Sequence, residues 1–238
     1  MAYYNSGNSF QKENPVVFGL IMANVIVFLA QLFFKKFNLT EWGALHYYTS
    51  PLFKPHQIIT SVFMHDIGRS IFVHIFFNMF CLYTFGSWLE KVWGSKRFFS
   101  FYMICGVGSS IIMMLSMPYS AGITASSAAI INELGSNIAQ NKEAILSVTS
   151  AVGASGALMG LSAAFAYLFP NTELMLMFIP LPIKAKFLIP GFILLDLFGG
   201  FSNNSSGGNV GHFAHLGGAF IGFLLVYYWN STNKKTFY

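Results

Sequence analysis

Residues 153–169 read GASGALMGLSAAFAYLF, an uncharged run in which Gly156 and Gly160 stand four apart. Small residues at that spacing let membrane helices approach closely. The first reading of Ser155 is therefore a small side chain in a helix–helix seam. A nucleophilic reading needs more: a base and oxyanion donors brought to the same place by other parts of the chain. The stretch predicts a close-packed apolar helix, and the rest of the sequence decides what its hydroxyl is for.

Composition supplies the surroundings. The 238 residues are 55% hydrophobic, 18% aromatic and only 9% charged, with a mean hydropathy of +0.58. Soluble domains carry about 25% charged residues. An all-α integral membrane protein follows, one compact domain over 1–238 with the lipid bilayer as its partner. The net charge of +5 does not indicate nucleic acid, because the basic residues sit in loops and form no patch interleaved with aromatics. Cys81 and Cys105 lie in apolar segments with no Cys or His at metal-ligand spacing, so neither disulfide, metal nor cofactor is expected. The N-terminal MAYYNSGNSFQKENP lacks the basic start of a signal peptide. The apolar stretch behind it, about 20 residues, exceeds an h-region of about 7–15 and reads as a retained first span.

Six apolar segments predict six spans: Pro15–Phe34, Ile71–Glu90, Arg97–Met117, Gly153–Phe169, Phe187–Phe201 and Val210–Trp229. The fifth, opening KFLIPGF and containing Asp196, is expected to be broken or mobile. Lysine and arginine asymmetry sets Lys12, Lys91, Lys96, Arg97, Lys184, Lys186, Lys234 and Lys235 against Lys35, Lys36, Lys54, Arg69 and Lys142. Both termini, including the short 1–14 segment, are then cytoplasmic. The outer side holds two long segments. Residues 35–70, rich in aromatics and proline, suit a loop lying along the membrane interface. In 118–152, Ile130, Leu134 and Ile138 recur every fourth residue, compatible with a short amphipathic helix of unassigned role.

Polar side chains inside spans are costly and default to functional hypotheses. His74 and Asn78 are four apart on span two, and His212 and His215 three apart on span six. Counted from the cytoplasmic ends at ~1.5 Å per residue, Ser155 and His215 both lie about 22 Å up. His74 and Asn78 bracket that level at about 25 and 20 Å. All four then fall near one depth in a hydrocarbon layer of ~30 Å, where separate packing coincidences are not expected to coincide. A neutral His215 can take the Ser155 proton and return it to a leaving amine. The Ser155 amide at a helix start, with His74 and Asn78, supplies candidate oxyanion donors. No carboxylate is expected at this depth near His215. Asp196, at the outer end of span five, is only a weak orienting candidate, so the expectation is a Ser–His dyad.

GASG on span four, HIFFN on span two and AHLGGAFIG on span six resemble the three signatures of rhomboid intramembrane serine proteases: G-x-S-G, H-x-x-x-N and A-H-x-x-G-x-x-x-G. Each is common alone, whereas the three in this order are specific. The resemblance covers nearly the whole chain and implies the six-helix rhomboid-like bundle. It also implies Ser155 as nucleophile, His215 as general base, and His74 and Asn78 at the oxyanion. Its implied substrates are single-pass membrane proteins, cut near the outer face at small residues in locally unwound segments. Gly153, Gly156, Gly160, Gly218 and Gly222 are expected as packing support. The matching bacterial layout implies a bacterial inner membrane.

Three departures stand out. Met159 occupies a position that is aromatic in some members, Trp42–Gly43 replaces a Trp–Arg pair, and the 118–152 segment is long. DLFG at Asp196–Gly199 resembles the same place in some bacterial members and reads as structural, with His212 a hydrogen-bonding neighbour of His215. The alternative is a catalytically silent relative that binds transmembrane helices, but such proteins typically lose the serine or the histidine. A transporter would favour internal repeats and more intramembrane charge. Substrate identity and oligomeric state are not legible here.

Overall fold

Pro15 opens the first spanning helix, α1 (Pro15–Phe33), because the N–H that proline lacks would have no intrahelical partner there. The next two N–H groups are satisfied from outside. Val16 and Val17 donate to the two oxygens of Glu90 at 3.0 and 2.8 Å, and Ser95 Oγ adds a 2.6 Å bond. Buried Glu90 (2% exposed) thus caps α1 from the far end of α2, where a carboxylate complements the helix dipole. The computed structural model describes residues 10–67, 71–131, 138–176, 179–201 and 209–232. The expectations that fall on Arg69, Leu134, Lys234 and Lys235, and on residues 1–9, lie outside them.

The second helix, α2 (Phe72–Trp93), contains a π-helical segment at Leu82–Gly86 and stops at Gly94, whose φ of +75° glycine adopts readily. Next come α3 (Ser95–Ile131), α4 (Ile138–Val148), α5 (Ser155–Leu168), α6 (Ala185–Phe201) and α7 (Asn209–Thr232). Among the described residues α1, α2 and Ser95–Ala121 of α3 are long and apolar enough to cross a membrane, and α5 is a shorter apolar helix. Large apolar side chains point outward along the bundle, including Ile26 (59%), Phe72 (67%), Phe198 (73%) and Phe220 (61%). In water such a girdle would be an aggregating surface. In lipid it is the solvated one, and the chain is a polytopic helical membrane protein.

Two elements differ from expectation. The third span does not end at Met117: α3 runs 37 residues through Pro118, about 56 Å at 1.5 Å per residue against a hydrocarbon layer of ~30 Å. Its extension is held by packing. Met117 and Ala121 join Leu45, Leu146 and Ala214 in one buried cluster, and Tyr119 meets Phe213 edge-on at 5.7 Å. The short amphipathic helix expected over Ile130, Leu134 and Ile138 falls mostly outside the described residues; Ile130 lies near the end of α3 and Ile138 opens α4. The fifth span is also unbroken. Pro190 lies in the second turn of α6, where the carbonyl it leaves unpaired, that of Lys186, is near the helix end.

Strands are few and short. β1 (Leu45–His46) pairs antiparallel with β2 (Ser150–Ala151), and β3 (Glu173–Leu176) with β4 (Ile179–Lys184). The segment between α1 and α2 is organised by buried Gln57. Its Oε1 accepts from His46 N–H (3.3 Å) and Lys54 N–H (3.1 Å), and its Nε2 donates to Leu52 O (3.0 Å). Trp42 stacks on His56 at 4.4 Å. Within the bundle α5 is central: Gly156–Leu158 and Gly160–Phe165 are all buried, against α2, α3, α6 and α7.

Candidate active site

Ser155 is the first residue of α5, and the chain reaches it under restraint. β2 is tied to β1, with Leu45 opposite Ala151 and His46 opposite Ser150. Gly153 then donates its N–H to Ser61 O at 2.9 Å, in a turn with φ +134° that other residues rarely adopt. Gly153 therefore serves by backbone conformation rather than by packing. The first helical bond of α5 runs from Leu158 N–H to Ala154 O (3.1 Å). The N–H groups of Ser155, Gly156 and Ala157 precede it and are free of intrahelical partners. They concentrate partial positive charge around the serine.

The other glycines form the seam between α5 and α7. A Cβ on Gly218 would lie 2.6 Å from the Gly156 carbonyl carbon, and one on Gly222 would lie 2.5 Å from Gly160 Cα. A Cβ on Gly156 would come within 3.2 Å of Ala214 O, and one on Gly160 within 2.6 Å of Cys105 Sγ. Gly156 thus rests against the Ala214–Gly218 turn, which carries His215. Ser155 and His215 stand on adjoining turns of touching helices, both half-buried. Among the described residues no hydrogen bond joins them. Catalytic contacts are often long before substrate binds.

His74 approaches the serine from the other side. A methyl group at Gly153 would touch both Ser155 Oγ (3.4 Å) and His74 Cε1 (3.8 Å), and His74 lies within electrostatic range of His215. Asn78, one turn along, is 7% exposed, and its Nδ2 is buried without a hydrogen-bond partner among the described residues. Buried amides are almost always paired, and an exception calls for a role. Met159 is half-buried on α5.

One feature corrects the expectation that no carboxylate stands near His215, and a second was missed in the sequence. Asp196 Oδ2 lies 3.0 Å from His215 Nδ1, and Oδ1 lies 2.7 Å from His212 Nδ1. A carboxylate does stand at the level of His215. α6 ends at Phe201 as expected, so Asp196 lies about 7.5 Å in from the helix end, and the packing of α6 against α7 brings it to both histidines. The second is His65. Gln31 on α1 clamps its backbone, accepting from His65 N–H and donating to His65 O, both at 3.0 Å. Its ring meets His74 edge-on at 5.7 Å. Burial, reinforced by neighbouring His74, pushes the His65 pKa down to about 4, so this ring is neutral at physiological pH.

Comparison with known proteins gives the family. Residues 53–231 match the model of the Rhomboid domain. The chain is 29% identical over 240 residues to Rhomboid protein 1, mitochondrial, of Saccharomyces cerevisiae, covering 95% of this chain and 57% of that one. It is 29% identical over 213 residues to RHOMBOID-like protein 12, mitochondrial, of Arabidopsis thaliana (88% and 56%). Against the Rhomboid protease AarA of Providencia stuartii it is 26% identical over 222 residues (87% and 69%). The chain spans little more than half the length of the first two. Their mitochondrial names lend no support to the expected bacterial inner membrane.

Proposed function

The chain belongs to the rhomboid family, and from that premise we propose that it is an intramembrane serine endopeptidase cleaving transmembrane segments of single-pass proteins. The observation that carries the reading is the glycine seam, which puts Ser155 and His215 on adjoining turns with His215 Nδ1 engaged elsewhere and Nε2 left for the serine. His215 Nε2 accepts the proton as Ser155 Oγ attacks the peptide carbonyl, then passes it to the departing amide nitrogen. Water, activated by the same nitrogen, hydrolyses the resulting ester. The Ser155 N–H, Asn78 Nδ2 and the His74 ring stabilise the oxyanion.

Sidedness belongs to the same proposal. Lys12, Lys91, Lys96, Arg97, Lys184 and Lys186 mark the cytoplasmic end, or the compartment equivalent to it in an organelle. The serine then opens toward the opposite face, where cleavage takes place. A fluorophosphonate probe tests the nucleophile. It should label the folded wild-type protein at Ser155 and leave Ser155→Ala unlabelled. Labelling at another residue, or none on folded protein, contradicts the assignment.

Asn78 gives an independent test. Asn78→Ala should lower kcat by about 10²–10³-fold, the usual cost of one oxyanion donor. It should leave the thermal midpoint unchanged or higher, because a buried unpaired amide costs about 1–3 kcal/mol in the resting protein. A variant that melts earlier and keeps its kcat would make Asn78 a structural residue instead.

A further inference from the structure

Asp196 and Gly199 are three apart on α6, and His212 and His215 three apart on α7, so each pair shares one helix face. The two faces meet. The carboxylate spans both imidazoles through Oδ1 and Oδ2, and the His212 ring lies so close over Gly199 that a Cβ there would sit 2.7 Å from its Cε1. Asp196 is the most enclosed of the three groups, with 17% of its side chain exposed against 32% for His212 and 29% for His215. An ionised carboxylate only accepts hydrogen bonds, so each ring presents Nδ1–H to it. When neutral, each ring then carries its lone pair on Nε2. For His215 this is the tautomer that a base acting on Ser155 requires.

We propose that Asp196 is a positioning residue that fixes the ring and tautomer of His215, with His212 as the second arm holding the carboxylate in place. The inference rests on the protease reading and adds a third group to the serine and the histidine. Asp196 touches no reacting atom. As the Ser155 Oγ–carbon bond forms, the hydroxyl proton passes to His215 Nε2. The ring becomes an imidazolium, and its Nδ1–H bond to Asp196 becomes charge-assisted on both sides. When the scissile C–N bond breaks, Nε2 gives the proton to the departing nitrogen and the ring returns to neutrality. Asp196 stays ionised throughout, as the corresponding carboxylate does in serine triads on other folds. His212 Nδ1–H satisfies the oxygen that His215 does not use, so neither carboxylate oxygen is buried without a donor. Because the carboxylate belongs to α6 and both histidines to α7, the reactivity of His215 depends on how α6 is seated.

The test uses the full chain in detergent micelles with a model single-pass substrate. Asp196→Asn should lower kcat by about 10²-fold, with KM changed by less than about 2-fold. A carboxylate buried more completely in a serine triad is worth about 10⁴-fold. Asp196→Glu should recover at least roughly a tenth of wild-type kcat, and His212→Gln should lose only about 2–5-fold. In ¹⁵N-histidine-labelled protein, a downfield Nδ1–H resonance of His215 should be present in the wild type and in Ser155→Ala and missing from Asp196→Asn. An Asp196→Asn enzyme with wild-type kcat, or a loss carried by KM alone, overturns the positioning role while the protease reading stands. If Asp196→Asn does not fold, the spectrum decides: a wild-type His215 without a hydrogen-bonded Nδ1–H overturns it. A folded wild type that neither cleaves nor takes the fluorophosphonate overturns the protease reading, and the positioning role with it.

Discussion

His215→Ala abolishes cleavage in this account, with kcat/KM reduced by about 10³-fold or more and the protein still folded. The ring is half-buried at the edge of the α5–α7 seam, and truncating it leaves the Gly156–Gly218 and Gly160–Gly222 contacts in place. What is lost is the group that takes the Ser155 proton. Nucleophile and base act as a unit, so removing both costs little more than removing either. The check is a cycle of Ser155→Ala, His215→Ala and the double variant, assayed on one substrate with thermal melts alongside. Losses that add across the double variant would mean that the two residues act separately, and the proposed proton transfer would fail.

Gly218 carries the largest expected effect on stability. A Cβ at this position would stand 2.6 Å from a backbone carbon and 3.0 Å from the α-carbon of Gly156. Backbone cannot swing aside as a flexible side chain does, so α5 and α7 must separate along the seam. Overpacking a tight contact costs about 1–3 kcal/mol and more where backbone is displaced. At about 3 kcal/mol the thermal midpoint of a protein this size falls by roughly 6–12 °C. Gly218→Ala should show this loss, and activity should fall with it, because the seam sets the Ser155–His215 spacing. Gly191→Ala on α6 is the control: beyond its own stretch of helix, no described atom lies within 4 Å of a Cβ there, so its midpoint should hold or rise slightly. Equal melting of the two variants would remove the seam from the explanation.

What could be read from the sequence was what repeats or is spaced along a helix. The six apolar segments became helices within a few residues, except where α3 passes Pro118. Gly156, Gly160, Gly218 and Gly222 are four apart in pairs, and that spacing suggests a seam before any contact is known. What could not be read were relations between elements. The Asp196–His215 bond depends on how α6 docks against α7, which hydropathy along either helix does not encode. The 37 residues of α3 were hidden because a proline normally marks a boundary. Here tertiary packing of Met117, Tyr119 and Ala121 carries the helix onward. The pairing of Leu45–His46 with Ser150–Ala151 joins segments about a hundred residues apart, and two-residue strands leave no alternation to detect. The unpaired amide of Asn78 is a property of its surroundings, which no local pattern contains.

The central claim is that Ser155 opens a peptide bond within the membrane, and cleavage of a single-pass substrate by the reconstituted protein tests it most directly. Wild-type protein should yield two fragments whose new termini, read by mass spectrometry, lie within the transmembrane segment toward its non-cytoplasmic end, and Ser155→Ala should yield none. Equal cleavage by the two proteins would contradict the account.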